Sequence, residues 1–311
     1  MNKKTARVLS FSLAMCMVFS MLAISASAHR SSPDLSEVTN ESAEQQRALL
    51  RRELGLSAVA DKRTYAYSKV GVYYNGVTVS TSALSIKGVT YVGLRAFARA
   101  FGANVSYNSS TRTSVMTYGG LSLSVSDGAY VMYANSRPVF ALSNTVIMND
   151  GYMYAPLASL AKVMGLSVSE SAGRATLHGS VRPMSAKAPY TEDEVFWLAR
   201  IIQAESNGES LLGKIGVGTV VLNRVASNQY PNTIYGVIFD RKYGVQFSPV
   251  LNGTIYNTPN YQSRLAAMIC LEGVRLSDRA LFFLEPSLST SSWIPKNREY
   301  LFTILHHDFY A

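Results

Sequence analysis

Glu205 is an acid at the end of an apolar stripe. Upstream of it Val195, Leu198, Ala199 and Ile202 recur every three or four positions, the spacing of a helix face turned to a core. Three positions beyond Ile202 the same face arrives at Glu205, and Asn207 with Gly208 then signals the end of the helix. A carboxyl in that place is partly desolvated, lies at the negative end of the helix dipole and has Glu209 four residues away; each effect favours the protonated form. A carboxylic acid kept protonated near neutral pH can protonate a leaving glycosidic oxygen. The same pattern also fits a glutamate that reaches solvent from a frayed terminus, or one paired with Arg224.

Chemistry with two carboxylates would need a second acid about 5 to 9.5 Å away. Asp240, Glu272, Asp278, Glu285 and Glu299 all have polar or basic neighbours, which leaves Glu209 as the one rival, suited to capping the next helix or tuning Glu205. Cysteine chemistry is not indicated. Cys16 falls in the N-terminal apolar segment, and Cys270, alone within an apolar helical run, reads as a buried inert thiol. With His178 the single histidine of residues 67–180, no histidine and cysteine cluster suggests a metal, and no cofactor is expected.

The elements that position Glu205 are legible. Thr191 with Glu194 three residues on is a capping box, and the acids at 192–194 suit the positive end of a helix dipole. Residues 210–227 are apolar nearly all round and carry Gly213, Gly216 and Gly218, as expected of a central buried helix behind Glu205. Asn223 and Arg224 near its end read as structural, with support of the site left open. Residues 242–262 are rich in Gly, Asn and Tyr, offering aromatic faces for sugar rings and amides for N-acetyl groups.

The front of the chain has a different texture. Lys3, Lys4 and Arg7, an unbroken apolar run and a small-residue site at 26–28 predict a secretory signal peptide over 1–28; the run is also near the lower limit for an uncleaved membrane anchor. No later stretch is apolar enough to span a bilayer. A polar spacer over 29–66 follows, and then alternating strands with turns at 74–76 and 134–138. A repeat spaced by 63 residues relates Tyr91 to Tyr154, Leu94 to Leu157, Gly102 to Gly165 and Val105 to Val168, each unit reading as strand, short helix and hairpin. A Pro- and Ser-containing linker at 181–190 leads into a second domain over 191–311.

Apolar residues at 48% against 16% charged exclude a disordered chain or a coiled coil. Residues 29–188 hold 16 basic and 9 acidic side chains, and 189–311 hold 10 and 11. A basic front on an exported chain suits an anionic extracellular matrix rather than nucleic acid.

Two resemblances sharpen these expectations. The pattern from Tyr91 to Val105 resembles the copper amine oxidase N-terminal-like module of secreted Gram-positive proteins, over 67–180. It implies a stalk or wall-attachment role, and the single histidine gives no reason to expect copper. From Ala199 to Glu209, Gly213 to Val225, Pro231 to Ile238, Gln246 to Ser248 and His307 to Phe309, the second domain resembles the spore cortex-lytic and cell wall hydrolase family (SleB/CwlJ type). The resemblance implies a multidomain protein: an α+β stalk of two repeats, then a mainly α, lysozyme-like domain that cleaves peptidoglycan glycan as a lytic transglycosylase.

It implies Glu205 as the acid and Gln246 and Ser248 as substrate-binding residues. Trp293 and His307 are further candidates for the cleft border, and Phe247 reads as core. Pro249 and Val250 stand where the family often has Trp. The implied partner is the glycan strand and the implied location is outside the cell, in wall, spore cortex or coat. Simple muramidase or amidase action, and a wall-binding protein without activity, remain open at this stage.

Overall fold

The structure, a computed structural model, describes residues 67–86, 88–141, 147–149, 151–242, 244–289 and 292–311. The expected signal peptide and spacer lie outside them. Among the described residues no helix is long and apolar enough to cross a membrane.

The first half is built from β1 (Ser68–Tyr74), β2 (Val77–Ile86), β3 (Val89–Gly93), α1 (Leu94–Phe101), β4 (Asn104–Asn108), β5 (Thr113–Tyr118), β6 (Leu121–Ser126), β7 (Val131–Ala134), β8 (Arg137–Phe140), β9 (Ile147–Asn149), β10 (Tyr152–Pro156), α2 (Leu157–Val163), β11 (Ser167–Ser171) and β12 (Arg174–His178). One sheet runs β11-β12-β1-β2-β3-β10-β9 and is antiparallel except where β1 meets β12; a second runs β4-β5-β6-β7-β8. The turn after β1 places Asn75 and Gly76 at positive φ, and the turn after β7 does the same with Asn135 and Ser136, a twist that matches tight hairpins.

The order strand, helix, hairpin occurs twice, in β3-α1-β4-β5 and β10-α2-β11-β12, and β3 pairs antiparallel with β10. The two hairpins nevertheless join different sheets. Leu94 and Phe97 from α1 and Leu157, Leu160 and Val163 from α2 are fully buried in a core completed by Val72, Val92, Met116, Leu123 and Met132. Burying each such side chain stabilises by about 1.5–3 kcal/mol.

The second half comprises α3 (Glu192–Ser206), α4 (Leu211–Ala226), α5 (Ile234–Ile238), α6 (Pro249–Asn252), a 3-10 turn (Thr254–Tyr256), α7 (Tyr261–Leu271), β13 (Phe282–Leu284), α8 (Trp293–Asn297), β14 (Tyr300–Ile304) and β15 (His307–Tyr310). It is mainly helical, as expected, but ends in a three-stranded sheet, β13-β15-β14, that the sequence did not suggest. Its core joins Leu198, Ile201 and Ile202 of α3, Ile215, Val217 and Val221 of α4, and Leu265, Ile269 and Cys270 of α7. Two glycines of α4 mark close approaches: a Cβ at Gly218 would meet Cys270 Sγ at 2.7 Å, and one at Gly216 would meet Phe309 Cζ at 2.4 Å. Cys270 is buried as expected, and burial pushes its thiol up to about 12.

The junction between the halves is not a loose tether. Tyr130, Val131, Tyr133 and Phe140 belong to the same core as α3, α4 and α7. Arg137 donates to both carboxylate oxygens of Glu272, at 2.8 and 2.7 Å, and to the carbonyls of Ser185 and Lys187. Within the expected linker, Arg182 N and Met184 N bond the carbonyls of Met164 and Val163, at the end of α2. A short linker was expected there, and backbone hydrogen bonds fasten it to the first half.

Candidate active site

Helix α3 begins with the capping box: Glu194 N donates to Thr191 Oγ1 and Thr191 N donates to Glu194 Oε2. Val195, Leu198, Ala199 and Ile202 are buried, so the helix phase is that of the apolar stripe. Glu205 follows on the last turn, half-buried, and no hydrogen bond engages its carboxyl among the described residues. Desolvation pushes this carboxyl up to about 7, with the Arg224 guanidinium pulling the other way. Burial and the place on the last turn of α3, at the negative end of its dipole, are both present as expected, whereas Glu209 pairs with His306 instead.

A pairing of Arg224 with Glu205 was one alternative the sequence left open, and Arg224 is the charge that Glu205 feels. Its Nε donates to the carbonyl of Leu281 at 2.8 Å, and its guanidinium carbon lies 5.1, 5.2 and 5.4 Å from the ring centres of Tyr230, Phe247 and Phe282. Three rings from distant segments thus hold one buried cation, an arrangement worth roughly 0.5–2 kcal/mol per desolvated pair. Nη1 is buried without a partner. Its neighbour Asn223 is structural, donating to the carbonyls of Ser277 and Ala280.

Beneath the last turn of α3 lies a polar cluster. Lys214, fully buried, donates to the carbonyls of Ser206 and Asn207, which are among the carbonyls a helix end leaves unpaired. Burial brings its ammonium down to about 8 while Glu209 opposes the shift. Glu209 does not cap α4, because Ser210 Oγ accepts from Gly213 N. Instead Glu209 Oε1 sits 2.9 Å from His306 Nδ1, and its Oε2 is buried without a partner.

His307, for which the sequence allowed a structural role as well as a place at the cleft border, is 5% exposed with its ring against Phe283 and Phe309. Burial lowers its pKa, whereas His306, one position earlier in the turn between β14 and β15, is exposed.

The 242–262 segment is tied to α3 by two side chains that sequence did not single out. Arg200 Nη1 donates to the carbonyls of Ile255 and Asn257, and Gln203 Oε1 accepts from Asn260 N and Ser263 Oγ. Phe247 is core, as expected, and its place over Arg224 anchors the residues on either side of it. Gln246 is half-buried and donates to the Gly244 carbonyl, and Ser248 is exposed at the start of α6 with its hydroxyl unengaged by any cap. Trp293 is 51% exposed and meets Phe282 edge-on at 6.3 Å; Arg298 lies over both rings. Phe282 therefore links Trp293 to the cage around Arg224. No group of three or more His, Cys, Asp or Glu side chains is arranged to hold a metal among the described residues.

Comparison with known proteins gives each half a family. The cell wall hydrolase family matches residues 208–310, a span that opens just after Glu205, and the copper amine oxidase N-terminal domain matches residues 73–178. The spore cortex-lytic enzyme of Bacillus cereus is 37% identical over 105 residues, 34% of this chain and 39% of that one. That of Bacillus subtilis is 33% identical over 105 residues, 34% of this chain and 33% of its own length. This chain thus spans about a third to two fifths of the length of the curated relatives it matches. A solved catalytic domain of the germination-specific lytic transglycosylase SleB from Bacillus anthracis is 34% identical, with 40% of this chain and 99% of that chain covered at a TM-score of 0.37. The helical half of this chain carries a domain of the cell wall hydrolase family, set behind a copper amine oxidase N-terminal domain.

Proposed function

We propose that this chain cleaves the glycan of peptidoglycan outside the cell, as a lytic transglycosylase with Glu205 as both acid and base. The observation that carries the proposal is the half-buried Glu205 carboxyl, unengaged by hydrogen bonds and pushed up to about 7 by desolvation. The neutral acid donates its proton to the oxygen bridging C1 of muramic acid and the next glucosamine. That C1–O bond breaks, leaving the carboxylate beside Arg224, which favours the charged form. The carboxylate then takes the proton of the muramic acid 6-hydroxyl as that oxygen bonds to C1. The products are a 1,6-anhydro end and a glucosamine 4-hydroxyl, with Glu205 again protonated and no water consumed.

In this account Gln246, Ser248 and Trp293 border the glycan, and Arg200 and Gln203 hold their loop against α3. The hydrolase domain extends over 191–311 with a lysozyme-like arrangement, and the stalk over 67–180, built from two copies of one unit, attaches it to the wall. The names of the relatives, spore cortex-lytic enzymes and a germination-specific transglycosylase, favour spore cortex as substrate. A turbidity assay on purified cortex and vegetative sacculi tests the proposal. Cortex is expected to clear, with the rate falling on the alkaline side around pH 7; sedimentation with the wall without clearing would overturn it.

A further inference from the structure

The stalk contains a groove that the hydrolytic site does not use. It is about 410 Å³ in volume, large enough for a sugar unit or two, and lies between α1 and β10. Arg95 and Arg99 stand four residues apart on one face of α1, both exposed, and no hydrogen bond, ion pair or ring contact engages either among the described residues. Like charges at that spacing disfavour a helix, and Arg95 lies in the first turn, where the helix dipole repels a cation and no acid compensates. The like-charge spacing and the place of Arg95 are thus unfavourable, whereas Arg99 in the last turn suits the dipole; a ligand anion in the groove would offset the unfavourable terms.

Tyrosines form the other walls. Tyr107 is 42% and Tyr152 57% exposed, unusual for large aromatic side chains, and both face the same groove. The ring of Tyr154 also lines the groove, close to Gly93. Flat rings beside unpaired guanidiniums suit pyranose faces that carry pendant carboxylates. A glycerol or ribitol phosphate chain has no such faces to stack.

We propose that this groove binds a carboxylate-bearing glycan strand, with Tyr107 and Tyr152 against sugar rings and Arg95 and Arg99 on the acidic substituents. The proposal rests on the peptidoglycan reading only for the identity of the strand. Because the stalk shares a core with the hydrolase half, a strand held there is held at a fixed relation to Glu205.

The test is sedimentation of the full chain, carrying Glu205→Gln so that the wall stays intact, with purified sacculi before and after chemical removal of phosphate polymers. Arg95→Glu with Arg99→Glu is expected to weaken binding about tenfold or more, the scale of one lost charged hydrogen bond. Tyr152→Ala, which leaves the charge in place, is expected to weaken it several-fold, and removing phosphate polymers to leave it unchanged. Unaltered binding by either variant, with the melting curve preserved, would overturn the proposal, as would binding that disappears with the phosphate polymers. Clearing of sacculi by the unsubstituted chain is measured separately, so failure of the groove and failure of the enzymatic proposal are distinguishable.

Discussion

Replacing Arg137 with alanine tests whether the two halves fold as one. The Glu272 carboxylate is 3% exposed and takes two hydrogen bonds from the Arg137 guanidinium, whose own side chain is 12% exposed. Removing the cation strands a buried charge and frees the Ser185 and Lys187 carbonyls that hold the 181–190 segment. Breaking such a pair costs about 3–5 kcal/mol. At about 2–4 °C per kcal/mol for a unit of this size, the melting temperature should fall by roughly 6–20 °C. Arg137→Met combined with Glu272→Leu should recover most of the loss, because burying neither charge removes the desolvation cost. Differential scanning calorimetry reads both results and should show a single transition, since β7 and β8 supply residues to the helical core. A shift under about 2 °C, or two separated transitions, would refute the reasoning.

Three further outcomes follow from the packing and the charges. Gly216→Ala forces a Cβ against the buried ring of Phe309; overpacking of about 1–3 kcal/mol should exceed the roughly 1 kcal/mol gained in helix propensity, and thermal melting would show a net loss. Lys214→Met removes the side-chain donor to the Asn207 carbonyl and one of two donors to the Ser206 carbonyl, costing about 1–3 kcal/mol in chemical denaturation and lowering the cleavage rate by loosening the turn that carries Glu205. The Glu205 carboxyl is raised from 4.5 in the unfolded chain to about 7 in the fold, so its contribution to stability is complete below pH 4.5 and is lost as pH rises through 7. Glu205→Gln should flatten that slope and stabilise the protein at pH 8 by up to roughly 3 kcal/mol, read from denaturation at pH 4.5 and pH 8.

What was legible in the sequence was local. The stripe from Val195 to Ile202, the Thr191 capping box and the Asn207-Gly208 stop fixed the phase of α3, and these signals lie within a few turns of one another. The roles of Phe247 and Cys270 as core followed from their apolar settings. What escaped depends on residues far apart in the chain. The cage around Arg224 draws rings from positions 230, 247 and 282, and no spacing rule joins them. The strands Phe282–Leu284, Tyr300–Ile304 and His307–Tyr310 are too short for a period-two pattern to stand out, so the terminal sheet was missed and with it the distinction between His306 and His307. How the 181–190 segment is fastened could not be read from the sequence, because composition does not reveal which backbone groups find partners.

The central claim is that Glu205 serves one glycosidic bond as acid and then as base. Mass spectrometry of fragments released from purified cortex addresses it directly. The account predicts 1,6-anhydro-muramic ends from the unsubstituted chain and none from Glu205→Gln of the same stability. Reducing muramic ends, freed stem peptides on an intact glycan, or undiminished release by Glu205→Gln would contradict it.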